Sequence, residues 1–191
     1  MHVFRLLRVL LPLVILAVVV GGAVSVLKAR PDLQHAEHAV QTAWSPLETE
    51  LTTRYDTLSK ADDALRDLPG PVGDLARTLH TALLRWQAAR GNAPAGVDAA
   101  NALEALGRRL VTAARTSDRT RNDPAVVELL DRYAADTTIA TSGPGSAAGA
   151  FNHAVAAYEH QRRGPVRAVV ARLLGDDNIA AFAPAPVATQ A

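Results

Sequence analysis

Val9 to Leu27 is a run of nineteen residues without a charge, and it constrains this chain more than any other feature. Leu, Val, Ile, Ala and Gly fill nearly all of it. As an α-helix it would reach about 28 Å, close to the hydrocarbon thickness of a bilayer. Arg5 and Arg8 lie before it, and Lys28 and Arg30 close it. Pro12 falls in its first turn, where a missing N–H costs little. The spacing predicts a membrane anchor over residues 1–30, with a spanning helix at about 9–27. A cleaved signal peptide is the alternative, since Ala23-Val24-Ser25 offers small residues at the positions a peptidase prefers. The anchor is preferred because the apolar run continues to Leu27 and is then closed by basic residues. Arg5, Arg8 and the terminal amine outweigh Lys28 and Arg30, which Asp32 and Glu37 dilute. The balance favours an inside amino terminus, with the rest on the external face of the membrane.

The first thirty residues hold four of the 20 basic side chains and no acid. The remaining 161 residues therefore carry 16 basic against 19 acidic groups, a net charge of −3. That argues against a nucleic-acid partner, which needs a concentrated basic face. The chain has no cysteine, so disulfides, thiol catalysis and thiolate metal sites are excluded. Three Phe, three Tyr and two Trp leave the core to Leu, Val and Ala, which suits closely packed helices.

From Pro31 the pattern predicts a long helix to about Leu68, its apolar residues Val40, Trp44, Leu47, Leu51, Leu58 and Leu65 falling on a heptad seam. Pro46 should kink it near Thr42. A second helix is expected from Val72 to Arg90, with Leu75, Leu79, Leu83 and Trp86 on one stripe. Asp98 is the expected cap of a third, whose stripe is Leu103, Leu106, Leu110 and Ala114. Asp123-Pro124 is a strong start for a fourth, with Val126, Leu130, Tyr133, Thr137 and Ala140 in register. The run Thr141 to Ser146 should break it. Phe151, Val155 and Tyr158 resume the pattern before Gly164-Pro165, and a short amphipathic piece follows from Val166 to Leu174. The bundle domain is expected over 31–175, with a disordered Pro/Ala-rich tail over 176–191. No strand pattern occurs, so the expected class is all-α.

Three stretches resemble the LemA family of bacterial membrane-anchored helical proteins. Ala43-Trp44-Ser45-Pro46-Leu47 with Arg54-Tyr55-Asp56-Thr57-Leu58 is similar to the family's AWS-x-(I/L) and RRYDLIPNL. Phe151 to Glu159 resembles YN-x-AV-x-x-YN, and Ala171 to Gly175 with Phe182 resembles its closing segment. Thr53, Ser59-Lys60-Ala61, Phe151 and Glu159 depart from the family pattern, and the Gly-Pro-Gly run falls where relatives keep a continuous helix. The resemblance implies a four-helix up-and-down bundle after an amino-terminal membrane segment. It brings no catalytic residue with it.

Trp44, Leu47, Leu51, Tyr55, Leu58, Leu79, Trp86, Leu106, Leu110, Leu130, Phe151, Val155 and Tyr158 are the expected core. Tyr55 should keep its hydroxyl at the edge. Arg54 and Asp56 could tie the first helix to the last, and Asn152 could pair a polar group between helices. His35-Ala36-Glu37-His38 lacks the spacing of a helical zinc site, and no triad, P-loop or dinucleotide motif occurs, so neither catalysis, metal nor cofactor is expected. Alternating helix directions should return the end of the last helix to the bilayer. There Arg162, Arg163, Arg167 and Arg172 could meet anionic headgroups, or Val166 to Leu174 could cap the bundle. The expected role is a protein-interaction scaffold or adaptor at the cell envelope, its partner an unidentified protein or a second copy. A released helical domain and a small-ligand sensor with a pocket near Trp44 are the other readings.

Overall fold

The computed structural model describes residues 31–135, 145–163 and 178–183 in full, and of residues 2–30 the backbone helix alone. Every regular element among them is an α-helix: α1 (His2–Leu65), α2 (Pro71–Ala89), α3 (Ala93–Thr116), α4 (Pro124–Ala135) and α5 (Ala147–Arg162). Among the fully described residues no helix is long and apolar enough to cross a membrane. The anchor expected over 9–27 lies outside them, as do Thr137, Ala140 and the piece Val166 to Leu174.

The start expected at Pro31 is absent, because α1 is already helical from His2. The helix continues through Pro46, where a kink near Thr42 was expected. Both prolines lie on the exposed side, where water can serve the carbonyls they leave unbonded. Eight of the buried positions of α1, Val40, Trp44, Leu47, Leu51, Arg54, Leu58, Ala61 and Leu65, are spaced alternately four and three, with Tyr55 and Asp62 buried beside them. This is an unbroken heptad seam in which Arg54 and Ala61 fill the places that seemed empty in the apolar pattern.

Interhelical contacts give the directions. The Trp44 indole donates to the Arg90 carbonyl at 2.6 Å while Asp62 meets His80 at 2.9 Å, so α2 runs antiparallel to α1. Trp44 lies against Gly96 and Arg54 against Glu104, so α3 runs parallel to α1. Tyr133 of α4 meets Arg54, and Phe151 of α5 meets Trp44 at 5.2 Å between ring centres. The chain from α4 to α5 thus descends along α1.

Local chemistry fixes the ends. Gly70, at a φ of 89°, makes the turn before Pro71. The third helix starts at Ala93 rather than at an Asp98 cap, because the Asn92 side chain accepts from the Ala95 N–H and Pro94 fits the first turn. Asp123 caps α4 through the Ala125 and Val126 N–H groups, and Ser146 caps α5 through Gly149.

Residues 178–183 carry no regular structure, yet they are not a free tail. Ile179 and Phe182 are buried in the core. The Asn152 side chain donates to the Phe182 carbonyl and accepts from its N–H, at 2.9 and 2.8 Å. Asn101 does the same with the Ala181 carbonyl and the Ala183 N–H, at 3.0 and 2.9 Å. Two asparagine amides thereby satisfy an extended backbone as a neighbouring strand would. The domain extends at least to Ala183, beyond the expected boundary at 175, and Asn152 serves this segment rather than another helix.

Candidate functional site

The heptad position at Arg54 puts a guanidinium into the centre of the helices, and α3 supplies its answer. Glu104 occupies the matching seam position of α3, among Ala93, Val97, Ala100, Gly107, Val111 and Ala114. The pair is bidentate, with Nε to one carboxylate oxygen at 2.8 Å and Nη2 to the other at 3.1 Å. Arg54 and Glu104 are 5% and 2% exposed, so each ion depends on the other for its solvation.

Tyr133 closes the node. Its backbone carbonyl, on α4, accepts from Arg54 Nη1 at 2.7 Å. Its ring lies 4.0 Å from the guanidinium carbon, and its hydroxyl donates to Glu104 at 3.3 Å. Burial, followed by the Glu104 charge, raises the Tyr133 hydroxyl well above its ordinary range; Arg54 opposes this only in part. Gly107 makes the geometry possible, since any Cβ there would overlap the Tyr133 ring and hydroxyl. Tyr55, one residue from Arg54, donates to the Ala100 carbonyl at 3.1 Å, and burial above all raises its hydroxyl too.

This arrangement corrects two expectations. Arg54 ties α1 to α3 and α4, not to the last helix, and Asp56 is exposed on the far side. The Tyr55 hydroxyl is buried rather than at the edge. The node locks register: Arg54 holds its proton at any working pH and is consumed by Glu104 and Tyr133. A second polar contact joins the other end of α1 to α2. Asp62, 1% exposed, takes His80 Nδ1 on one oxygen at 2.9 Å, with Arg66 at 3.9 Å, while its Oδ1 is buried without a partner.

Trp44, Leu47, Leu51, Leu58, Leu79, Trp86, Leu110, Leu130, Phe151, Val155 and Tyr158 are all buried, as the seam predicted, but Leu106 is only partly covered. It lines an outer groove instead. Trp44 is buried against Trp86, Phe151 and Gly96. His35 and His38 lie exposed on α1, and among the described residues no three His, Cys, Asp or Glu side chains converge as metal ligands. Arg162 is engaged by Glu159 at 2.9 Å and stacks over Tyr158, so it is no free headgroup contact; Arg163 is exposed. Arg167 and Arg172 lie outside the described residues.

An outer groove of about 880 Å³ lies between α2 and α3, lined by Ala82, Ala99, Ala102 and Leu106. Asp74, Arg85 and Asp98 stand on its walls. It continues past Leu75, Ala105 and Arg109 toward the far end of α3. In comparisons with protein-family models, curated proteins and solved structures, nothing matches this chain.

Proposed function

We propose that this chain is a membrane-anchored, LemA-like helical bundle that works by binding another protein at the external face of the cell envelope, not by catalysis. The observation that carries the reading is the continuity of α1. One helix runs from His2 to Leu65, so the uncharged stretch 9–27 passes without a linker into Leu33, which is buried. Leu33 follows Leu27 by six positions, about 9 Å of helix. A bundle joined so closely to its anchor is held against the bilayer, presenting its sides to partners on the same membrane. The descending directions of α4 and α5 support a four-column, up-and-down bundle in which these two helices share one column. The open groove between α2 and α3 supports a binding role, because it is wide, lined by small side chains and ringed by charges.

Fractionation of the full chain tests the anchor. The expected result is recovery with membranes after alkaline and high-salt washing; a soluble chain, or a mature terminus near Val26, defeats it. Orientation follows from single cysteines at Ser45 or Ser117 on a cysteine-free background. Labelling of intact cells by an impermeant thiol reagent is expected, and labelling only after lysis places the bundle inside.

A further inference from the structure

The groove between α2 and α3 carries a charge pattern that fits its own copy. Asp74 and Arg85 stand eleven residues apart on α2, and Asp98 and Arg109 eleven apart on α3. Eleven residues are about three turns, so each pair lies on one helix face some 16 Å apart. All four side chains are exposed. The two helices are antiparallel and joined by a short turn around Gly91. Asp98 and Arg85 lie seven and six residues from Gly91, and Arg109 and Asp74 lie eighteen and seventeen from it. The four residues therefore mark the corners of a rectangle, with acids on one diagonal and bases on the other.

Between the corners lie Thr78 and Thr81 on α2, and Ala102 and Ala105 on α3, all small and all exposed. Arg85, Asp98 and Arg109 make no ion pair among the described residues, whereas Asp74 has only its exposed neighbour Arg77. Arg77 and Arg108 stand at the rim.

We infer that this face docks a second copy of the chain, α2–α3 against α2–α3, about a twofold axis in the plane of the face. Such a rotation exchanges either the two ends of the rectangle or its two sides. In both cases every acid lands opposite a base, giving four intersubunit pairs from two acids and two bases, and exchange of the sides is the mode that keeps both anchors at one end, as a shared membrane requires. The small residues between the corners let the backbones approach, as in an antiparallel helix bundle. The inference rests on the binding role proposed above and names the partner. A face about 28 Å long and two helices wide covers roughly 500 Å² per copy, below the 800 Å² of a standard interface, so the association is weak and reversible.

The test is sedimentation velocity of the full chain in mild detergent, at low salt, over a hundredfold range of concentration. A reversible dimer weakened by added salt is expected. R85D/R109D places acids at all four corners and should weaken dimerisation at least tenfold with helicity unchanged. The full inversion D74R/R85D/D98R/R109D restores the alternating pattern and should recover affinity to within about threefold, yet fail to pair with the native chain. Ala102→Cys, on a background without cysteine, should crosslink to itself through a bismaleimide, and Lys60→Cys on α1 should not. A native chain that stays monomeric overturns the inference, as does a dimer indifferent to R85D/R109D. An inversion that keeps its helicity but not its partner overturns it as well. A soluble chain that still dimerises defeats the anchor alone, and a membrane-held monomer defeats this inference alone.

Discussion

Removing one member of the buried ion pair should damage the fold far more than removing both. Glu104→Leu leaves the Arg54 guanidinium in a seam between Leu51 and Leu58 without its bidentate carboxylate, though still donating to the Tyr133 carbonyl. Losing one partner of such a pair costs about 3–5 kcal/mol. Arg54→Met strands Glu104 with the Tyr133 hydroxyl alone, at 3.3 Å, and should cost a similar amount. The double variant Arg54→Met/Glu104→Leu restores an apolar seam of nearly the same volume. What it leaves behind is the Tyr133 carbonyl without its donor, about 1–3 kcal/mol. The sum of the single losses should therefore exceed the double by at least about 3 kcal/mol. For a chain of this size each kcal/mol moves Tm by roughly 2–4 °C. Thermal and urea melts followed by far-ultraviolet circular dichroism read all four corners of the cycle. Single variants costing under 1 kcal/mol, or losses that simply add, would refute the account of Arg54 and Glu104 as mutually solvating ions.

Four further outcomes follow. Gly107→Ala should destabilise by about 1–3 kcal/mol despite the better helix propensity of alanine, since its Cβ overlaps Tyr133; a stabilised variant in urea melts would show that α4 sits further away. His80→Ala should cost about 1–3 kcal/mol because it leaves Asp62 buried with only Arg66 nearby, and adding Asp62→Leu should recover part of that loss in the same assay. Asn152→Ala removes both bonds to the Phe182 backbone, so amide exchange over 179–183 should accelerate at least tenfold while α2 keeps its protection. Tyr55 and Tyr133 both titrate above their ordinary value of about 10, so the unfolded chain ionises first. Their contribution is complete below about pH 10 and is lost as pH rises toward the folded values. Tyr55 and Tyr133 should stay silent in a 295 nm titration until the chain unfolds.

The helices themselves were legible because their signals are local. Asp123-Pro124, Gly70-Pro71 and the Ser146 cap act within one turn, and Trp44, Leu47 and Leu51 declare the α1 seam by spacing alone. The third helix was misplaced at its start because Asp98 and Asn92 are both good caps. Pro94 decides for Asn92, since a proline is tolerated in a first turn and the backbone ahead of it can be extended.

The node was hidden by its own composition. In α1 the apolar spacing jumps by seven from Leu51 to Leu58, and the heptad position left open is Arg54. A gap of that kind, filled by a long planar cation inside a Leu seam, is the trace a buried ion leaves in a sequence. Its partner left a fainter one. The α3 seam is Ala93, Val97, Ala100, Glu104, Gly107, Val111 and Ala114, whose small side chains give a weaker apolar signal than the neighbouring Leu103, Leu106 and Leu110. Of the stripe Leu103, Leu106, Leu110 and Ala114, Leu103 and Leu110 are buried beside that seam, Ala114 belongs to it, and Leu106 is only partly covered. Small residues occupy the centre because Trp44 and Tyr133 fill the space from across the interface, over Gly96 and Gly107. Where one helix brings the aromatic bulk, its neighbour must give up side-chain volume. The apolar pattern of α3 alone then finds its buried leucines, Leu103 and Leu110, but not the small-residue seam beside them. Leu106, the one partly covered member of the stripe, lines the outer groove beside the charged corners of the proposed dimer face.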